Sequence, residues 1–444
     1  MMLPLLLLGF AAHFHGVFSQ CQPLSSLNFT DTPNITPGVT AQVVFNNLTH
    51  PRGIKFDDAS NLLVVDSGVG VIALTLNNTA GCQGWQRSVV VQNSTFNHGI
   101  DIGNGTLYVS TSTSVVGFQY DSSTISVGSG TPTVIVTNIA GAGSSGRRFL
   151  LIPASGSDPA FLIVTAGTDS DTDFAAAQAS SGLSQIRRFA LNASLPGGGY
   201  DWMTDGEMIA FGLRNAVGLT MDSNNNLWIT ENSSDNVTWD GIDVSANNPA
   251  DEFNVVSLNN ITGGFYGYPD CDTVWDPTSF SSFTTGEQFS DTSSFADTFC
   301  QSPSNNIPPM LSFQAHASPL DIKFYTGVTG NNTSSALNSS WVGNSFVSFH
   351  GSAETPEVGF GVVMIPWNTA ANTPTANADT QTGYSFLVQA TNLTACPGQC
   401  IRPVGLQFDT EGRLFVSSDA TGEVCRRSRI SDFVGFIDDV DRFS

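Results

Sequence analysis

One order of polar and apolar positions recurs along the chain: a polar head, a glycine-bearing apolar strand, a turn, and a second apolar strand ending in polar residues. It appears as HPRGIKFDDASNLLVVDSG from His50 and as NHGIDIGNGTLYVSTST from Asn97. It returns as LRNAVGLTMDSNNNLWITENSSD from Leu213 and as IRPVGLQFDTEGRLFVSSDATG from Ile401. Looser copies are RRFLLIPASGSDPAFLIVTAGTDSD from Arg147, and HASPLDIKFY from His316, which resumes after an insertion at WVGNSFVSFHGS. Turn sequences such as DSNNN and DTEG between the apolar runs mark hairpins. Six strand-turn-strand units, each followed by more β-type sequence, predict an all-β chain folded as a six-bladed β-propeller.

That architecture places chemistry. In a propeller the innermost strand of every blade starts at the same face, and the second strand runs back to it. Heads and tails of the repeat should therefore meet around one funnel. The heads are Arg52, His98, Arg214, Asn215, His316 and Arg402; the tails are Asp66, the run Glu231 to Asp235, His350 and Asp419. Several arginines and histidines around one wet funnel repel each other unless something anionic sits among them. Arginine offers paired planar donors suited to carboxylates.

Composition sharpens the contrast. The chain has 444 residues, with 43 Gly, 21 Pro and 31 Phe, and only 12% of its residues are charged. Lys and Arg number 15 against 38 Asp and Glu, for a formal charge of −23. A basic surface that tracks phosphates is absent, which argues against nucleic-acid binding. Basic groups are scarce, yet several fall at one register of the repeat.

Residues 1–19 form a short apolar run, with Val17 and Ser19 at −3 and −1 of a cleavage point before Gln20. This predicts a signal peptide, a secreted protein, and one propeller domain over 20–444. No later stretch is apolar for long enough to cross a bilayer, so no membrane association is expected. Export predicts oxidised cysteines, and proximity in the chain suggests Cys271 with Cys300, Cys396 with Cys400 and Cys21 with Cys82, leaving Cys425 odd. Fourteen N-x-S/T sequons, from Asn28 to Asn392, predict a glycoprotein.

The stretches GLRNAVGLTMDSNNNLWITENSSDN, NNPADEFN and GGFYGYPDC resemble those of soluble quinoprotein sugar dehydrogenases, the glucose/sorbosone dehydrogenase-like proteins. Within that group the chain is similar to the secreted fungal pyranose dehydrogenases. HASPLDIKFY, FVSFHGS and RPVGLQFDTEGRLFVSSDATGEV match as well, so the likeness runs from about residue 40 to 425. The resemblance implies pyrroloquinoline quinone (PQQ) and a calcium ion in the funnel. It places Arg214 and Asn215 at the quinone, Arg52 and Arg402 on the cofactor's carboxylates, and His98 and His350 along the pocket. Ser233 and Ser234 are the implied calcium ligands, in a polar turn of the kind calcium accepts. The implied reaction is oxidation of a pyranose at its anomeric carbon. Arg214 and His98 are then the catalytic candidates, and electrons leave to an external acceptor such as a secreted haem protein.

The chain also departs from that pattern. Where the family carries a proton-abstracting histidine in blade three, the stretch GAGSSGRRFLLIP places Gly143 or Ser145, neither a base at neutral pH. Asp169, Asp171 and His98 are the possible substitutes. After His350 the family often continues GSWNR, whereas this chain has Gly351, Ser352, Ala353 and Glu354. Two other readings follow: a propeller that binds sugar or quinone without turnover, and a calcium-dependent lactonase. The lactonase needs axial carboxylates from several blades, against the mainly basic heads. The acidic run GTDSDTDF reads as a solvated turn, and His316 reads equally as a pocket or a structural residue. No GxSxG elbow supports a serine hydrolase, and the cysteine spacing does not suit zinc.

Overall fold

The computed structural model describes residues 21–79, 82–141, 150–151, 154–155, 158–191, 194–292, 295–330 and 335–429. Six antiparallel blades surround one axis, and each predicted unit forms the inner hairpin of one blade. The inner strands are Pro51–Phe56, Ile100–Gly103, Leu150–Leu151, Asn215–Met221, Pro319–Phe324 and Pro403–Phe408. Their partners are Leu62–Asp66, Thr106–Ser110, Phe161–Ala166, Asn226–Asn232, Ser345–Phe349 and Leu414–Ser418. Among the described residues the only α-helix is the single turn Asp297–Cys300.

The second strands read as continuous apolar runs because both of their faces are covered by neighbouring blades. Leu62, Leu63, Val64 and Val65 are all fully buried, with Leu62 and Val64 packed toward blade six and Leu63 and Val65 toward blade two. At the axis the inner strands nearly touch. A Cβ on Gly53 would lie 2.2 Å from the His98 carbonyl oxygen, and one on Gly405 would lie 2.6 Å from that of Arg52. Glycine at the repeat's fixed position is thus what lets blades one, two and six converge.

Polar groups left at bulges in the inner strands, or just before the strand in blade two, are met by hydroxyls of the second strands. The N–H groups of Gly99, Gly218, Asp321 and Gly405 donate to Ser110, Thr230, Ser348 and Ser417. Two of those hydroxyls then donate onward to the next blade: Ser348 to the Val404 carbonyl and Ser417 to the Arg52 carbonyl, each at 2.6 Å. A recurrent Ser or Thr in the repeat's tail is therefore an inter-blade fastener.

Closure of the ring was not visible in the repeat. The outer strand of blade six comes from the other end of the chain: Val39–Phe45 pairs antiparallel with Glu423–Arg429. The disulfides Cys271–Cys300 and Cys396–Cys400 form as expected, and Cys425 is a buried free thiol. Cys21 is also disulfide-bonded, while the side chain of its expected partner, Cys82, lies outside those described.

Removing the Ser417 hydroxyl leaves a buried N–H and a buried carbonyl without partners. Ser417→Ala should cost about 1–3 kcal/mol, whereas Ala at the exposed Ser25 should fall within about 0.5 kcal/mol. Urea unfolding of both variants measures the difference.

Candidate functional site

The heads and tails do meet, but as two groups of opposite character. The first is cationic and draws on blades one, two, five and six. Arg52 is buried and ion-paired to Asp419, and its other terminal nitrogen lies 3.2 Å from Nδ1 of His98. His350 Nε2 lies 2.9 Å from the same Asp419 carboxylate. Arg402 donates to Nδ1 of His350 at 2.8 Å and to the carbonyls of His350 and Gly351. Gly351, two residues before the family's pattern breaks at Ala353, thus contributes through its backbone. With two guanidinium groups against one carboxylate, this cluster keeps a positive excess within an acidic protein.

Electrostatics follow from that crowding. Burial, against the nearby Arg402 and Arg52, pushes His350 down to about 3 despite its bond to Asp419. Partial burial raises Asp419, but hydrogen bonding to His350 and the charges of His350 and Arg52 hold it far below the usual carboxylate range. Burial lowers Arg52 and Arg402 from the ordinary arginine value.

The second group surrounds Arg214 at the start of blade four. Its guanidinium donates to the Asp171 carbonyl (3.2 Å), the Ser233 carbonyl (2.6 Å), the Asp171 carboxylate (2.7 Å) and the Asp235 carboxylate (3.0 Å). A guanidinium has five N–H donors, so one remains for a ligand. Asp171 also accepts from the N–H groups of Asp235 and Asn236 and from the Asn236 side chain. The acidic run of blade three is therefore no solvated turn at Asp171, which is a clamp on Arg214 saturated with donors and unsuited to act as a base. His316 joins this group: it bonds the Ser245 carbonyl at 2.7 Å and stands 3.7 Å from Asp235. Next to Arg214, Asn215 is buried and its Oδ1 has no hydrogen-bond partner in the protein.

Beside Arg214 lies a cavity of about 10 Å³ lined by Glu231, Ser233, Ser234, Glu252, Tyr266 and Asp272, among others. It is the size of one water or one ion. Burial and then repulsion from Glu252 push Glu231 well up; Asp272 is likewise raised, by burial and by Asp291 and Glu252. Burial pushes Glu252 up to about 7. Both predicted calcium residues thus line one small space, but share it with three carboxylates, and the Ser233 carbonyl is already engaged by Arg214. Among the described residues no three His, Cys, Asp or Glu converge closely enough to hold a metal by themselves. Glu252 and Asp272 were missed in the sequence. The available signal was acidic residues placed inside apolar strands of a charge-poor chain.

Other expectations sort plainly. His50 is exposed and stays outside the cluster; its N–H, with that of Thr49, donates to Asp66, which makes that tail a loop fastener. Gly143 and Ser145 lie outside the described residues. The carboxylates that line this cavity, Glu231, Glu252 and Asp272, all belong to blade four and its insertion, unlike the several-blade set a lactonase needs.

A propeller with a cationic axial cluster, an orphaned amide and an acidic cavity beside them is the class these observations define. The TrAA12-like family model matches residues 33–426, and the chain belongs to that family. It is 36% identical over 409 residues to a pyrroloquinoline quinone-dependent sugar dehydrogenase of Hypocrea jecorina, spanning 88% of each chain. Among solved structures it is similar to a calcium structure of the Trichoderma reesei AA12 enzyme, with TM-score 0.81 and 34% identity over 92% of this chain and 100% of that one. It is also similar to the holo PQQ domain of Coprinopsis cinerea pyranose dehydrogenase, with TM-score 0.78 and 32% identity over 90% and 97% of the two chains.

His350 gives a pH test of the axial cluster. The folded protein keeps this ring neutral down to about 3, whereas an unfolded histidine takes up its proton near 6.5. The stability it contributes is thus complete above about pH 6.5 and declines on acidification, by up to about 1.4 kcal/mol per pH unit. Asp419 acts in the same direction, but only below the unfolded carboxylate value of about 4. Glu231, Glu252 and Asp272, all pushed up by burial, work the other way in this window, so the test is a difference: in thermal unfolding the cofactor-free protein should lose stability relative to His350→Gln, which keeps a donor and an acceptor, as pH falls from 7 to 4.5.

Proposed function

We propose that this protein is a secreted, PQQ- and calcium-dependent dehydrogenase that oxidises a pyranose sugar at the anomeric carbon. The observation that carries the reading is the positive excess of the axial cluster, which fits a polycarboxylate. Arg52, His98 and Arg402 would hold its carboxylates, and the Asn215 Nδ2 with the remaining N–H of Arg214 would donate to its carbonyl oxygens, while the unpartnered Asn215 Oδ1 is left to accept from an N–H or O–H group; His350 orients Arg402. When bound, PQQ supplies the two-electron acceptor chemistry, which amino-acid side chains lack. The protein's own share is charge and position. Arg214 presents a fixed donor where negative charge develops, because Asp171 and Asp235 leave its guanidinium no freedom to turn.

Calcium is proposed for the acidic cavity, where Ser233 and Ser234 share the lining with Glu231, Glu252 and Asp272. Oxygen donors of mixed type suit this ion. The leader at residues 1–19, the disulfides and the exposed sequons, Asn28, Asn260 and Asn392 among them, support secretion and glycosylation. Electrons would pass to an external acceptor, a secreted haem protein being the candidate. A second reading, binding without turnover, is motivated by Gly143 or Ser145 at the position of the family's base.

Titration calorimetry of the purified protein with PQQ and Ca²⁺, followed by dye-coupled oxidation of a pyranose panel, tests this reading. Tight binding with turnover is expected. Binding without turnover would favour the second reading, and no binding of PQQ would sink the cofactor assignment. Arg402→Gln, which removes charge-assisted bonds worth about 1.5–3 kcal/mol, should weaken PQQ binding by about ten- to a hundred-fold. Saturating Ca²⁺ should raise the unfolding temperature by about 5 °C. Glu252→Gln should reduce that increase, and a chelator should reverse it.

A further inference from the structure

We propose that Asp419, acting through Arg52 and His350, is a positioning residue that holds His98 and His350 as neutral rings protonated on Nε2. His98 is then a hydrogen-bond donor and not the proton-abstracting base. The inference rests on placing the ligand at the axial cluster, but its geometry belongs to the protein alone.

The argument is one of donors and acceptors. Every N–H of a guanidinium is a donor and none of its nitrogens accepts. A ring nitrogen that meets an arginine must therefore offer its lone pair. Arg52 meets His98 at Nδ1, and Arg402 meets His350 at Nδ1, at 3.2 and 2.8 Å. In a neutral ring the proton then sits on Nε2 in both. For His350 this agrees with its other contact, since Nε2 faces the acceptor oxygens of Asp419 at 2.9 and 3.1 Å. Every contact in the chain Arg402–His350–Asp419–Arg52–His98 pairs a donor with an acceptor, the donors pointing toward Asp419 from His350 and Arg52 and toward His98 from Arg52.

Protonating His98 on Nδ1 would break its bond from Arg52 and set two cations together. His98 is 1% exposed, so water would not screen them. Its Nε2 already carries a proton. Neither nitrogen can therefore take a proton from a sugar hydroxyl, which removes His98 from the substitutes for the missing histidine. What it can do is donate from Nε2 to an oxygen, a role that helps hold an anionic ligand or stabilise developing charge. Asp419 makes this possible by fixing Arg52, because a guanidinium released from its carboxylate is free to leave the His98 ring.

The test is nitrogen NMR of protein labelled with ¹⁵N-histidine, cofactor-free and without sugar, at pH 7. Beyond residue 20 the chain has four histidines, His50, His98, His316 and His350, so single variants assign them. His98 and His350 should each show an unprotonated Nδ1 and a protonated Nε2. Arg52→Met should convert His98 alone to a mixture of tautomers, and Asp419→Ala should do so for both rings. His98 protonated on Nδ1, doubly protonated at pH 7, or unchanged by Arg52→Met would each overturn the proposal. If Asp419→Ala does not fold, the native spectrum and Arg52→Met still decide. Failure of PQQ to bind would leave these spectra untouched, so the two readings fail separately.

Discussion

The carboxylate of Asp419 is the interaction on which the centre of this molecule depends. It sits at the seam where the ring closes, on the last blade, and bonds Arg52 of the first blade and His350 of the fifth. A half-buried carboxylate is tolerable when its lone pairs are filled, and here two basic side chains from different blades bond it. The same bonds orient Arg402 through His350 and His98 through Arg52. One negative charge thus organises four basic side chains, yet does not neutralise them. The result is a prepared site for an anion in a protein whose formal charge is −23.

Blade four sets the opposite polarity beside it. Glu231, Glu252 and Asp272 are buried together and raised by the loss of water, with repulsion from Glu252 adding to the shift of the other two. Arg214 stands between the two regions, its backbone N–H on Glu231 and its guanidinium on Asp171 and Asp235. Adjacent cationic and anionic spaces lie side by side, and each lowers the electrostatic cost of filling the other. The disulfide Cys271–Cys300 and the bonds of Asn248 to the backbone of Trp275 and Asp276 hold the insertion that covers this side.

The fold was legible because a propeller repeats one local pattern, and the pattern carries its own register. A head such as Arg52 or Arg402 and a tail such as Asp419 had to return to one face, whatever the loops between them. Arg214 and Asn215 were heads of the same repeat, to which the family pattern gave a role, and the structure places both buried at the start of blade four. Harder to read were Asp171, which looked like part of a solvated acidic turn, and Glu252 and Asp272, which lie outside the repeat's heads and tails. Their roles come from contacts between blade three, blade four and its insertion, and sequence distance says nothing of those. The closing strand Val39–Phe45 was hidden for the same reason, since its partner lies nearly 400 residues away.

The sequence by itself determined the number of blades, the face on which chemistry gathers and the sign of the charge placed there. Those follow from strand periodicity and from which residue types stand at each turn of the repeat, properties local to a few residues. Only the tertiary structure decided which heads meet which tails. It split one expected ring into a cationic group around Asp419 and a clamped arginine beside an acidic cavity. It also set the direction of the hydrogen bonds on His98 and His350. These are matters of distance between side chains on different blades, and a buried proton goes where the neighbouring donors and acceptors leave room for it.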